Sequence, residues 1–447
     1  MTSQYNNHYR TLLSIGIPIM IGQLGMIILS FADTMMVGHH STSELGAASF
    51  VNNIMNLVII TGTGFSYGLT PIVGGMFGRK QLPEAGQALR CSLLANTLAA
   101  VIMMAALTIL YFNLANIGQP DELLLYMRPY YLVLLASLPF VMLFNAFKQF
   151  TDSITETRTS MWILLSGNLL NIIGNYTLIF GKFGMPALGV EGAAISTSIA
   201  RGVSMVLLFV ILFRKHIPSF PTRLFRPFPW IELKNLLKIG LPAAGEEISY
   251  SGSQVVITFF INMLGNEALI TRTYCWNMAF VVCVFSIAMG QGGAILIGHL
   301  VGEKKIKTAY ILGCYTRRMA IILAASLSVV LAMCGGKVLS WLTDNENIVS
   351  LGIIIMWVQV ALEIGRAINI WATQALRATG DVNFQFYVGI TVQWLVSVVL
   401  SYLLGVHWGY GLIAMWFSFA LDENIRGMIF IYRWKSMKWS GKSFVKN

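Results

Sequence analysis

The sequence predicts an all-α membrane protein of about twelve transmembrane helices, arranged as two repeated six-helix lobes around a central cavity. Three observations carry this prediction. Of 447 residues, 56% are hydrophobic and 11% charged, against roughly 25% charged in soluble domains. So much apolar surface needs lipid as its solvent. Apolar runs of about 20 residues, the length that crosses a bilayer, recur along the whole chain. Finally, Ile15-Gly16-x-Pro18 returns as Ile239-Gly240-x-Pro242, and Gly74-x-x-x-Gly78-x-Lys80 returns as Gly298-x-x-x-Gly302-x-Lys304, both at an offset of 224 residues. Duplication of a hydrophobic chain at half its length is the signature of a transporter built from internal repeats.

The first span, 11–37, follows a polar Met1–Arg10 segment with no small-residue cleavage site, so it is read as retained rather than as a signal peptide. Spans at 45–72, 88–112, 124–148, 160–180 and 188–213 complete an N-lobe, 1–213. Within the second, Thr61-Gly62-Thr63-Gly64 suits close helix packing in lipid. The polar stretch Arg214–Lys238 holds four of the twelve prolines. Residues 214–234 are assigned as a cytoplasmic linker, and Trp230–Lys238 as a candidate amphipathic helix at the interface. The C-lobe, 235–447, has spans at 235–264, 272–298, 308–334, 346–375, 384–405 and 409–432, then a short basic tail.

With both termini on one side, that side collects about 23 of the 30 basic residues, from Arg10 through Arg79, Lys80, Lys148, Lys304 and Arg377 to the tail. The other side holds about four, Arg128, Lys182, Arg272 and Lys337. Both termini are therefore expected in the cytoplasm, in a multi-pass protein of the inner or plasma membrane. Orientation also accounts for the net charge of +11 without a nucleic-acid partner, since no aromatic-interleaved basic module accompanies it. The five cysteines lie in apolar stretches and form no C-x-x-C, which points to small apolar helix residues. No H-E-x-x-H and no Ser/His/Asp set is present, so an enzyme is not expected.

An ionisable group within hydrocarbon costs several kcal/mol and is a functional candidate by default. Asp33 lies in the first span, about 33 Å from Thr11 along a helix. It is either a cation-coupling carboxylate or a cap for a neighbouring helix near the outer interface. Asn168, Asn171 and Asn175 lie in the fifth span, and the last two are one turn apart on one face. With Asp33, and with Thr197 of the sixth span adding a hydroxyl, they form an oxygen-rich set that suits a proton or Na⁺. Interhelical amide hydrogen bonding is the other reading. The second half carries Glu246, Glu247, Glu363 and Arg366. Glu363 and Arg366 are expected to pair at i, i+3, with Glu246 or Glu247 joining Arg366 across helices. A structural ion pair and a substrate or proton role both fit this cluster. The repeat sharpens the contrast. At the shared offset Asp33 maps to Ile257 and Glu246 to Gly22; at an offset of 225, supported by the match of Gln149 with Gln374, Asn171 and Asn175 map to Val396 and Leu400 and Glu363 to Leu138. The backbone punctuation repeats and the charges do not, which places coupling-ion chemistry in the first half.

The residues resemble the multidrug and toxic compound extrusion (MATE) family. The resemblance is carried by Phe31-Ala32-Asp33-Thr34-Met35-Met36-Val37-Gly38, Thr70-Pro71-Ile72-Val73-Gly74, Asn168-Leu169-Leu170-Asn171 through Gly174-Asn175, Gly192-Ala193-Ala194, Gly240-Leu241-Pro242 and Ala375-Leu376-Arg377-Ala378-Thr379-Gly380-Asp381. It covers essentially the whole chain through their order and spacing. It implies a secondary active antiporter that exports organic cations or drugs in exchange for H⁺ or Na⁺, with no cofactor beyond that coupling ion. The family's first-span acid falls on Asp33 and its fifth-span Asn on Asn171. Many members carry an acid four residues later, where this chain has Asn175. In the seventh span Glu246 follows Pro242 by four residues, as in one branch of the family. Glu363-x-Gly365-Arg366-x-x-Asn369 looks like a branch variant. Pro18 removes a backbone hydrogen bond and is the expected hinge of the first helix. Binding of H⁺, or of Na⁺ at Asp33, would accompany bending there and rocking of the lobes. The expected partners are small organic cations or drugs and the lipid bilayer, and a monomer is expected. The alternative is a lipid-linked oligosaccharide or lipid flippase of the same wider superfamily.

Overall fold

Helix after helix follows from the apolar runs, because a backbone in hydrocarbon must satisfy its own polar groups. The computed structural model describes residues 2–118, 120–216 and 229–442. Most of the 214–234 linker assignment lies outside the described residues. The helices of the first half are α1 (Thr2–His40), α2 (Thr42–Ser66), α3 (Leu69–Gly78), α4 (Leu82–Phe112), α5 (Asp121–Ser153), α6 (Thr157–Phe180) and α7 (Gly189–His216). Those of the second are α8 (Trp230–Met263), α9 (Asn266–Gly302), α10 (Ile306–Leu342), α11 (Glu346–Ala378), α12 (Val382–Val392) and α13 (Gly411–Lys435). No strand occurs among the described residues.

The fold is all-α, and α2 with α3 forms one broken span, giving six spans in each half. Ten of the twelve are long and apolar enough to cross a membrane. The other two, α8 and α13, are diluted by Glu246 and Glu247 and by Asp422, Glu423 and Arg426. Trp230–Lys238 is not a separate interfacial helix but the opening of a continuous α8, because nothing at Ile239-Gly240 breaks the backbone ladder. α12 passes into π-type turns over Gln393–Val399 and Ser401–His407.

The repeated Gly-x-x-x-Gly-x-Lys motif is a helix stop. α3 ends at Gly78 and α9 at Gly302. In each case the lysine two residues on, Lys80 or Lys304, turns the chain with φ at 61°. The repeated Ile-Gly-x-Pro motif has a different consequence. The chain forms two compact units, one of residues 1–20 with 245–447 and one of residues 21–244. Each boundary falls two residues after a proline, Pro18 or Pro242, inside a continuous helix. The opening of each repeat's first helix therefore belongs to the unit built mainly by the other repeat.

Glycines make that exchange possible. Within the 21–244 unit, a Cβ on Gly68 would lie 2.9 Å from the Leu236 carbonyl oxygen and 3.0 Å from the Gly240 nitrogen. One on Gly240 would lie 2.7 Å from the Phe65 carbonyl oxygen. Within the other unit, Gly292 approaches the Gly16 nitrogen at 3.4 Å by the same measure. These pairs occupy equivalent positions of the repeat. The backbones at Gly68 and Gly240 cannot yield as a side-chain tip would, so Gly240→Ala should destabilise by about 1–3 kcal/mol. Thermal unfolding in detergent micelles checks this. A midpoint unchanged from wild type would show that the crossing tolerates a methyl group.

Candidate functional site

Small residues bring the polar groups of the 21–244 unit together. Gly167 and Gly174 of α6 lie against Ser204 and Ser196 of α7, the small-on-small packing that lets membrane helices approach closely. Asn171 sits between the two glycines on the same helix. Its Nδ2 donates to Thr197 Oγ1 at 2.9 Å, and its carbonyl accepts from Ser196 Oγ at 2.9 Å. One turn on, Asn175 Nδ2 donates to Asp33 Oδ1 at 2.6 Å and to Asn171 Oδ1 at 3.0 Å. Asn171 and Asn175 are buried. Turning the Asn171 amide over replaces its side-chain donation to Thr197 by a donation to Asp33 Oδ1 at 3.0 Å and an acceptance from Thr197 Oγ1, and leaves the Asn175–Asp33 bond in place. Amide orientation is fixed by such partners rather than seen directly, and either arrangement holds the Asp33 carboxylate with neutral amides. Asp33, Asn171, Asn175 and Thr197 are thus brought into one cluster by α1, α6 and α7.

The unit of 1–20 and 245–447 holds its charges differently. Trp416 Nε1 donates to Gln359 Oε1 at 2.6 Å, and Gln359 Nε2 donates to Glu363 Oε1 at 2.6 Å. Arg366 Nη1 donates to the same Glu363 oxygen at 2.6 Å, and its Nε lies 3.8 Å from Glu423 Oε1. Arg426 Nη2 then bridges Glu423 at 3.3 Å and Asp422 at 2.7 Å. Asn369 Nδ2 donates to Glu423 Oε2 at 2.6 Å, and the Arg366 guanidinium lies 5.3 Å from the Trp276 ring centroid. Acids and bases alternate across α11 and α13. Burying an ion is costly and is offset here by opposite charges in direct contact.

One sequence expectation needs correction. Glu246 does not join Arg366. It accepts from Arg377 Nη2 at 3.2 Å and from Gln385 Nε2, because α11 carries Arg377 a further three turns along. Arg377 is buried at 4% exposure. Glu247 is half-buried beside Glu246 and lies outside both ion-pair networks. Asp422, Glu423 and Arg426 complete the α11 network and were not singled out. Neither was Arg201, midway along α7, whose Nη1 donates to Ser137 Oγ at 2.8 Å. All four are visible as single charges inside the predicted spans 188–213 and 409–432, and that position was the signal available. Pro18 lies inside an unbroken α1.

The contact pattern predicts a difference in stability. Arg366→Met leaves buried Glu363 and Glu423 without their shared cation and should cost about 3–5 kcal/mol. Asn175→Ala removes one bond to the Asp33 carboxylate and one to an amide, but no ion pair, and should cost about 1–3 kcal/mol. Thermal unfolding of the purified variants ranks the two, and the reverse order would contradict this description.

Known proteins share this architecture. The family model described as MatE matches residues 18–177 and 242–403. The chain is 32% identical over 439 residues to the uncharacterized transporter YisQ of Bacillus subtilis, covering 97% of this chain and 95% of that protein. It is 25% identical over 411 residues to the multidrug resistance protein NorM of Vibrio cholerae, covering 90% and 89%. A solved outward-facing multidrug resistance MATE family transporter of the MOP superfamily superposes with a TM-score of 0.86 at 19% identity, covering 97% and 96%.

Proposed function

Because the chain belongs to the MatE family, we propose that it is a secondary active antiporter that exports small organic cations or drugs in exchange for H⁺ or Na⁺. We place the coupling ion at Asp33, with Asn171, Asn175 and Thr197 around it. Relatives that bear multidrug-resistance names support drug export as the activity. The observation that carries the site is the contrast between the two units. Asp33 is held by neutral amides, at 2.6 Å from Asn175, whereas Glu363 and Glu246 are held by arginines. A carboxylate already neutralised by a fixed guanidinium has little affinity left for a mobile cation. One held by amides keeps its charge available, and the surrounding amide and hydroxyl oxygens suit a hard cation.

In this reading, occupation of Asp33 neutralises the one acid of the cluster and favours bending of α1 at Pro18, where the helix lacks a backbone hydrogen bond. An ion drives such a change only through its different affinity for the two states. The alternating acids and bases of α11 and α13 are assigned a mainly structural role. The protein is proposed to act as a monomer of the inner or plasma membrane, with both termini cytoplasmic.

The test is uptake of ethidium into proteoliposomes under separately imposed pH and Na⁺ gradients. Wild type should respond to one gradient, and Asp33→Asn should lose at least about tenfold of the gradient-driven rate, the equivalent of 1.4 kcal/mol or more. Glu363→Gln in the same assay should retain gradient dependence if folded. Full ion-coupled transport by Asp33→Asn would remove the coupling ion from this site. Absence of response to either gradient, with translocation of a lipid-linked oligosaccharide instead, would replace the antiporter reading with the flippase reading.

A further inference from the structure

The basic tail that follows the last span folds back on its own unit. α13 ends at Lys435, and Met437 turns the chain with φ at 56°. Trp439 is thereby laid on Trp434, with ring centroids 4.4 Å apart and planes inclined by 13°. Its indole nitrogen donates to the Trp434 carbonyl at 2.9 Å, and both indoles are fully buried. Tyr310 of α10 stacks on Trp434 at 6.4 Å. Lys442 Nζ then donates to Asp381 Oδ1 at 2.6 Å. Asp381 also accepts from Arg433 Nε at 2.6 Å and Nη2 at 3.3 Å, and its side chain has no exposed surface. Two cations, one before the turn at Met437 and one after it, close on one buried carboxylate.

Asp381 lies in the turn between α11 and α12. Arg377, four residues before it, and Gln385, four after it, both donate to Glu246 Oε2 of α8. Glu246 is the second residue of α8 within this unit and follows Pro242 by four. Comparison of the repeats shows what this arrangement adds. At the offset of 225, Asp381 corresponds to Glu156, Arg377 to Asp152 and Gln385 to Ser160. The two turns share a backbone pattern, since Glu156 N donates to the Thr151 carbonyl as Asp381 N does to that of Leu376, each at 2.9 Å. In the first repeat, however, Ser160 Oγ donates to Asp152 Oδ1 at 2.6 Å. Glu246 corresponds there to Gly22, which has no side chain to hold. Glu156 meets Lys215 at 3.4 Å with both side chains partly exposed. The polar pair flanking the first turn closes on itself, whereas the pair flanking the second grips the first helix of its repeat.

We propose that residues 436–442 are a strap that, through Asp381, sets how firmly α11 and α12 grip Glu246, and so how freely α8 bends at Pro242. With Lys442 and Arg433 seated, the turn is fixed and Arg377 and Gln385 are presented together to one carboxylate oxygen. With the strap released, Asp381 keeps Arg433 alone and the turn loosens. α8 then loses the contact that stiffens it beside a residue lacking a backbone hydrogen bond. The Lys442 side chain is 43% exposed, so the outermost contact of the strap is the one open to screening or to a competing anion. α1 carries Gly22 at the equivalent place and cannot be held in this way. The grip on α8 does not depend on where the coupling ion binds.

Hydrogen–deuterium exchange of the purified full-length protein in detergent micelles tests this, because it reads the local opening of a helix. Lys442→Gln should speed exchange of the 243–250 amides about threefold, the scale of one partly exposed ion pair. Asp381→Asn should speed it at least about tenfold, since a buried acid that answers two cations is lost. Residues 266–285 of α9, away from the Trp371 and Trp434 cluster that Ala294, Ile297 and Val301 join, should exchange as in wild type. Lys442→Gln placed in a Glu246→Ala background should add nothing at 243–250, because the grip is already gone. Exchange at 243–250 left unchanged by both Lys442→Gln and Asp381→Asn overturns the proposal. Faster exchange that is equal at 243–250 and 266–285 also overturns it, as general loosening. A further increase in the Glu246→Ala background overturns it as well, since the strap would then act by another route. If Asp381→Asn or Glu246→Ala does not fold, Lys442→Gln alone decides. No gradient or substrate enters, so a failure of ion-coupled transport is read separately.

Discussion

Hydrocarbon offers no hydrogen-bond partner, so a polar group placed in it is costly unless the protein answers it. The backbone meets this demand through long helices with few interruptions. The side chains meet it in two ways, and the difference separates the two compact units. Where α11 and α13 meet, acids and guanidiniums alternate at 2.6 to 3.8 Å. Where α1, α6 and α7 meet, the carboxylate of Asp33 is answered by an amide. Direct ion pairing locks charge in place, whereas neutral hydrogen bonding leaves charge able to respond to an arriving ion. That distinction underlies the functional assignment.

Close approach of helices is the second requirement, and small residues supply it. Gly167 and Gly174 set Asn171 against Thr197, so the site depends on side chains that are absent as much as on those present. Gly68 and Gly240 do the same where the opening of α8 meets the break between α2 and α3. In each repeat a proline, a glycine and a compact-unit boundary fall within about one helical turn. A helix weakened by its missing amide thus stands where the chain passes from one unit to the other.

Much of the fold was legible because a bilayer imposes a length and a composition on each segment. The twelve apolar runs correspond to the twelve observed spans, with most helices extending beyond them and the second broken into α2 and α3. The candidate site was legible to the extent that its members are rare. An acid in the first span and two amides a turn apart in the fifth stand out against leucine and isoleucine. Arg201 was equally visible as a lone charge, but its partner Ser137 lies 64 residues away on α5. The burial of Arg377 was not legible, because a basic residue near the end of a span reads as an interfacial charge. Its burial against Glu246 depends on the neighbouring α8 and α12.

The sequence by itself determined the helical class, the number of spans, the duplication and the asymmetry of charge between the halves. Each of these is a local or periodic property, set by hydropathy and by residue identity along one strand of chain. The local pair Glu363–Arg366 followed from i, i+3 spacing, but tertiary structure decided that Glu246 met Arg377 and Asp33 met an amide, and which half received the opening of each first helix. Those outcomes depend on side chains more than a hundred residues apart, such as Asn175 with Asp33 and Arg377 with Glu246. Such pairs are chosen by packing, and no periodicity in the sequence encodes them.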